Sequence, residues 1–408
     1  MRHALRLAPL LVLYVAICAI QQPGYAVRDE PDLLFLAEWL LDGHLVPPGE
    51  VVNPREYLWH GPGLVVLLAP LVALDLPLEA IRYVQPLLLF GAVVLFHRVL
   101  RARLSERAAL GWAVAFGLYV PFFNVMPQIH KELLCVLLVV AGMLALRHAI
   151  EGGRALPVAG AGLALAALAM VRMEYGWIAI ALLAVSAVLA LRRRTPFARR
   201  LLAVAAVAVL GCVPWLAYTY HLTGEPLYWG SSSGLSLYWM SPTLPGETGQ
   251  WHSPREVLIN PALVPHRPFF RSLDELDPVR ADRVLRDRAL ENIRDRPLTY
   301  LRNVAANTSR LFFAMPFRPA RPFGTVLASV VFNGLLLLGI AWAAVVLWRR
   351  RGTLPPEAGP IALFAALAVG VHLPPSASPR MLLPVVPALV WLIATAAHGR
   401  ARPAGRTS

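Results

Sequence analysis

Residues 133–146 read LLCVLLVVAGMLAL, from Leu133 to Leu146, with no charged side chain. His130, Lys131 and Glu132 precede the stretch, and Arg147 follows it. With its flanks it has the length of a bilayer crossing, for which roughly 20 predominantly apolar residues are needed. Residues 178–191 form a second stretch of the same kind. Across the 408 residues, 57% are hydrophobic and 15% charged, against about 25% charged in a soluble domain. A chain this apolar cannot cover one water-soluble core, so the bilayer is its solvent. The expected class is an all-α polytopic membrane protein.

A net charge of +14 would suit a nucleic-acid partner, but the arginines gather in short connections between apolar segments. That is the positive-inside pattern of membrane proteins. Lys131 is the sole lysine. Cys18, Cys135 and Cys212 all fall in apolar segments without a CxxC, so no disulfide or cysteine metal site is expected. The basic, then apolar, start of the chain lacks a small-residue cleavage site before Gln21, Gln22 and Pro23, and reads as an uncleaved first crossing.

Eleven apolar segments lie near 5–21, 62–76, 81–98, 107–124, 132–149, 155–171, 175–191, 200–218, 323–348, 359–373 and 381–398. If all crossed, the arginine clusters at 98–107, 147–154, 192–200, 349–351 and 400–406 would not share one side. Segment 62–76 is short and carries Pro62, Pro70 and Pro77. If it lies at the outer surface or re-enters, every cluster is cytoplasmic. Ten crossings follow, with both termini cytoplasmic. The expected units are 1–218, a transmembrane module with an external first loop at 22–80; 219–322, an external, partly helical loop; and 323–408, the last crossings and tail. Within the first loop, 31–43 reads as a short interfacial helix closed by Gly43. In the long loop, 281–293 reads as a helix. A second helix beginning near Pro297 carries an apolar stripe of Leu301, Val304, Ala305, Thr308, Leu311 and Phe312.

Ionisable groups at the outer ends of membrane helices are costly, and are usually paired or functional. Asp29 and Glu30 follow the first crossing, either as a general base or as a solvated helix cap. Glu56 and His60 stand among Tyr57 and Trp59 before the non-crossing segment, to hold substrate or a divalent ion, or as an interfacial belt. Glu132 follows Lys131 at the start of a crossing, where a helix N-terminus favours negative charge. Arg172 sits outside between two crossings, either paired with Glu174 or free for an anion. Arg380 is the second external arginine, suited to a phosphate through its planar donors or snorkelling to the interface. Asn307, Thr308 and Ser309 match a glycosylation pattern and nothing more. No P-loop, dinucleotide fingerprint, HExxH or GxSxG is present.

The order of these features resembles the GT-C superfamily of polyprenyl-phosphate-sugar-dependent glycosyltransferases. It is most similar to the bacterial branch related to protein O-mannosyltransferases and lipid A aminoarabinose transferases. Asp29 and Glu30 look like that family's acidic pair after span one. Trp59, His60, Gly61 and Pro62 look like its His-Pro-Pro motif, with Gly61 in place of a proline. Glu132 looks like its glutamate at the fourth span, and Arg172 to Glu174 like its arginine turn. Pro214 and Trp215 followed by 230–238 look like its Pro-Trp exit and Gly-rich segment, and 296–301 like its helix break. Arg380, Met381, Pro384 and Pro387 look like its final motif, with Ser378 and Pro379 where an acid is common.

The resemblance implies an inverting transfer of a sugar from a polyprenyl-phosphate donor to an acceptor (protein, lipid or glycan) at the outer face of a bacterial inner membrane. Asp29 would be the base, with Glu30 beside it. Arg380, Arg172 and Lys131 would hold the donor phosphate. Glu56, His60 and Glu132 would position substrate or a divalent cation, a cofactor that some relatives use and others do not. Two other classes compete: a flippase of lipid-linked sugars, which needs polar groups at mid-membrane, and a non-catalytic assembly factor. An enzyme requires Asp29, Glu132 and Arg380 to converge; a scaffold would scatter them.

Overall fold

The computed structural model describes residues 2–45, 58–241, 244, 246–317 and 320–398. Glu56 lies outside the described residues. Every regular element among them is helical: α1 (Arg2–Gln21), α2 (Glu30–Leu41), α3 (Pro62–Ala73), α4 (Leu78–Arg82), α5 (Val84–Arg101), α6 (Glu106–Gly117), α7 (Lys131–Gly152), α8 (Ala155–Val171), α9 (Glu174–Arg193), α10 (Pro196–Thr223), α11 (Ser233–Met240), α12 (Pro254–Ile259), α13 (Arg267–Arg271), α14 (Pro278–Asp295), α15 (Pro297–Phe313), α16 (Phe323–Arg349), α17 (Ala358–Gly370) and α18 (Val386–His398), with short 3-10 turns between them. Six stretches are long and apolar enough to cross a membrane: Leu78–Arg101, Lys131–Gly152, Glu174–Arg193, Pro196–Thr223, Phe323–Arg349 and Pro379–His398. Four shorter apolar helices accompany them: Leu5–Gln21, Pro62–Ala73, Ala155–Val171 and Ala358–Gly370.

The arginine clusters collect at one end of this bundle. Arg103 pairs with Glu357 at 2.9 Å and with Glu151 at 3.0 Å, joining the ends of α5, α7 and α17. Arg101 and Arg6 both reach Glu106 at the start of α6. Arg200 donates to Ile150 O, and Arg350 to Ala396 O. The opposite end carries Asp29, Arg82, His130, Arg172 and Arg380. Helix α3 starts and finishes at that opposite end. Its first residues pack on the last turn of α8, where a Cβ on Gly61 would lie 2.0 Å from Met170 O. Its last leads by a tight turn into α4, whose Arg82 bonds Glu30.

Two expectations need correction. Segment 107–124 is not one helix: α6 stops at Gly117, and the chain continues to His130 as turns. Irregular backbone at membrane depth is tolerated where protein covers it. Here Tyr119, Phe122, Val125, Met126 and Ile129 are buried, and the Tyr119 hydroxyl bonds Asn333 of α16. The long loop 219–322 is partly helical: α10 runs on to Thr223, and α11 to α15 follow with turns between and after them. Gly234 of α11 sits so tightly on α14 that a Cβ would lie 2.0 Å from Asp282 O, while the Asp282 carboxylate accepts from Gly234 N at 2.7 Å.

Helix α15 buries only the far end of its apolar stripe. Leu311 and Phe312 are buried but Leu301 is 59% exposed, and the polar Asn303, Asn307 and Arg310 are fully buried beside them. The neighbouring surface is loop backbone rich in carbonyls, so the helix turns its donors inward. Asn307, in the glycosylation pattern, is therefore a buried structural amide.

Candidate functional site

Glu30 is the first side chain the fold fixes. It opens α2, is fully buried, and forms a two-point pair with Arg82 of α4 (Arg82 Nε to Oε1 2.9 Å, Arg82 NH2 to Oε2 2.7 Å). The backbone N–H groups of Ile129 and Val27 donate to the same carboxylate at 2.7 and 2.9 Å. Burial pushes the carboxyl upward, but these four donors outweigh it and hold Glu30 below its ordinary range. The guanidinium of Arg82 also ties down Pro23 O and Tyr25 O. Glu30 thus pins the turn after α1, and all its acceptor positions are engaged.

That turn presents Asp29 elsewhere. Arg28 before it takes φ +56°, a conformation few L side chains adopt. Asp29 Oδ2 lies 3.0 Å from Arg380 NH2, and both side chains are about 30% exposed (30% and 28%). Burial opposes ionisation of Asp29, yet the charges of Arg380 and Lys131 hold its carboxyl far below the usual range. Arg380 reaches two further groups: Nε lies 3.5 Å from Glu132 Oε1, and NH1 donates to His130 Nδ1 at 3.0 Å.

Glu132 lies in the first turn of α7 and is buried. Arg172, at the end of α8, donates to Glu132 Oε1 at 2.9 Å and to Glu174 Oε1 at 2.6 Å. Burial works against its charge, but Glu174 and Glu132 raise its pKa further still. Set between two carboxylates, Arg172 is a brace for Glu132 rather than an open anion site. Lys131 is different. It makes no hydrogen bond or ion pair among the described residues, although Asp29 and Glu174 act on it electrostatically. A cation in the first helical turn opposes the helix dipole, so an anion bound there would be stabilised by both.

His60 stands before α3 with Nε2 3.7 Å from Asp32 Oδ2. Burial, with Lys131 nearby, lowers its pKa despite Asp32 and Asp29. Burial does the same to His130. Because His130 Nδ1 accepts from Arg380, its neutral ring carries the proton on Nε2. That Nε2, together with His60 Nδ1, Glu132 Oε2, Tyr175 OH and His372 Nε2, makes no hydrogen bond among the described residues. Buried polar atoms are normally satisfied, and a group of them at one site calls for a ligand or ordered solvent.

The structure therefore brings together Asp29, Lys131, Glu132, Arg172 and Arg380, with His60 at the edge beside Asp32. Glu30 belongs to the supporting pair beneath. His130 and Tyr175 fall within the stretches 130–132 and 172–175 that the sequence marks, but no role attaches to them there, and His372 carries no such mark because a neutral imidazole beside an apolar segment gives no charge signal. No group of three or more His, Cys, Asp or Glu among the described residues is placed to hold a metal ion. Glu132 and Glu174 pair with Arg172, and Asp29 with Arg380. In comparison with known proteins, no family model matches the chain and no curated sequence matches it.

Proposed function

We propose that the protein is a membrane glycosyltransferase that moves a sugar from a polyprenyl-phosphate donor to a hydroxyl-bearing acceptor at the outer face of a bacterial inner membrane. This reading takes ten crossings, with α3 at the outer surface and the arginine clusters cytoplasmic, an arrangement that would put the site on that face. The observation that carries the reading is the meeting of Asp29 and Arg380, from opposite ends of the chain, over Lys131 and Glu132. A general base, two cations and a set of unmatched hydrogen-bonding atoms are the components that such a transfer needs. The unmatched atoms suit a sugar, whose hydroxyls both donate and accept.

The chemistry follows from these positions. The donor phosphate competes with Asp29 for Arg380 and gains Lys131 as a second cation. Asp29, released from its partner, becomes more basic and takes the proton of the acceptor hydroxyl. The acceptor oxygen forms its bond to the anomeric carbon from the opposite face, and the bond from that carbon to the phosphate oxygen breaks. The electron pair leaves on polyprenyl phosphate, whose charge grows from one to two negative units. Arg380 and Lys131 stabilise that growth, the kind of preorganised electrostatics that dominates many enzymes. Glu132, braced by Arg172, orients Arg380 and a sugar hydroxyl. The test is release of polyprenyl phosphate from polyprenyl-phosphate sugars by the purified protein in the presence of candidate acceptors; no release with any pair of donor and acceptor counts against the reading.

A further inference from the structure

Arg380 hangs from residues 372–378, a strap between α17 and the turn that begins α18's approach. Six successive residues of this strap are held from outside it. Asn307 Nδ2 donates to His372 O at 2.9 Å, Leu373 O at 3.1 Å and Pro375 O at 2.8 Å. Its Oδ1 accepts from Ala377 N at 2.8 Å and from Arg310 NH2 at 3.2 Å. Tyr300 OH donates to Pro374 O at 3.3 Å. Ser376 N donates to Ser236 O at 3.2 Å, and Ser376 Oγ to Gly249 O at 2.7 Å. Arg310 extends the lattice to Thr248 O and Gly249 O, both at 2.8 Å.

One amide thus grips four strap residues, and the other anchors come from α11, α15 and the 248–249 turn. Two of the held residues, Pro374 and Pro375, lack a backbone N–H, so the strap cannot build a helix to hold itself. Arg310 is fully buried with only amide and hydroxyl oxygens around it, a costly placement for a cation. Such an arrangement serves to fix geometry.

We infer that Asn307 is a positioning residue for Arg380, holding the strap so that one guanidinium reaches Asp29 and Glu132 together. The consequence for turnover rests on the glycosyltransferase reading; the consequence for the strap does not. The test uses the full-length protein with Asn307→Ala, Arg380→Ala and the double variant. Hydrogen exchange across 372–380 should rise in Asn307→Ala and stay at the wild-type level in Arg380→Ala. Turnover of a polyprenyl-phosphate sugar should fall by about 10²-fold in Asn307→Ala, the scale of a misplaced catalytic group. The double variant should be no slower than Arg380→Ala alone, because both changes remove the same interaction. Thr308→Ala, which breaks the glycosylation pattern but leaves the amide, should match wild type. If Asn307→Ala does not fold, Tyr300→Phe and Ser376→Ala each remove one anchor and should show the same effects in smaller measure. Unchanged exchange, or losses that multiply in the double variant, would overturn the inference. Absence of turnover in wild type would defeat the glycosyltransferase reading alone, with the exchange arm still deciding the strap.

Discussion

Arg380 NH2 lies 3.0 Å from Asp29 Oδ2, joining the turn after the first apolar helix to the turn before the last. Three hundred and more residues separate them, so the pair exists only if the bundle closes as described. Asp29→Asn keeps the shape and removes the proposed base. Its turnover should fall by about 10²–10⁴-fold, the usual worth of general-base catalysis, with donor KM unchanged or lower. Arg380→Ala should raise donor KM and lower kcat together. Steady-state kinetics with a lipid-linked sugar separates these patterns.

Glu30 should behave unlike its neighbour. Removing one partner of a buried ion pair leaves the other uncompensated and costs about 3–5 kcal/mol. Glu30→Gln should therefore lower the melting temperature markedly and leave Arg82 unpaired, while Asp29→Asn, whose partly exposed pair with Arg380 is screened by solvent, should lower it much less. Thermal unfolding of the two variants in the same detergent reads the difference.

Acid should weaken the fold in two windows. Burial lowers the pKa of His372 to about 4, against about 6.5 when unfolded. The folded state then binds fewer protons between these values, so this contribution is complete above about pH 6.5 and is lost as pH falls toward 4. His60 and His130 shift in the same direction. Asp29 is held below its unfolded value of about 3.9, so its contribution persists above about pH 4 and is lost below it. Melting temperature against pH should show both declines; His372→Gln should shrink the upper one, and Asp29→Asn the lower.

Gly61 allows the contact that seats α3. A Cβ there would meet Met170 O at 2.0 Å, backbone that cannot swing aside as a side chain can. Gly61→Ala should separate α3 from α8, displace His60, and reduce both melting temperature and turnover. Gly111→Ala, where a Cβ meets nothing within 4 Å, is the matched control.

The sequence made the bundle legible because bilayer crossings announce themselves by uncharged length, as at 133–146, and arginines mark one side. It also marked Asp29, Glu132 and Arg380, since charges beside hydrocarbon stand out. Glu30 and Arg82 could not be matched, because their pairing depends on how α4 folds back under α2. The polar interior of α15 was hidden for a related reason: periodicity finds apolar stripes, while Asn307 and Arg310 are buried against carbonyls that only tertiary structure brings near. The break of α6 at Gly117 escaped because 118–126 is apolar enough to read as a continued helix.

The most direct measurement is release of polyprenyl phosphate by the purified protein in membranes, for wild type and Asp29→Asn at equal folded concentration. Sugar-dependent release by wild type that is abolished in Asp29→Asn, with donor still bound, is the expected result. Release by Asp29→Asn at the wild-type rate would contradict the assignment of Asp29 as the base.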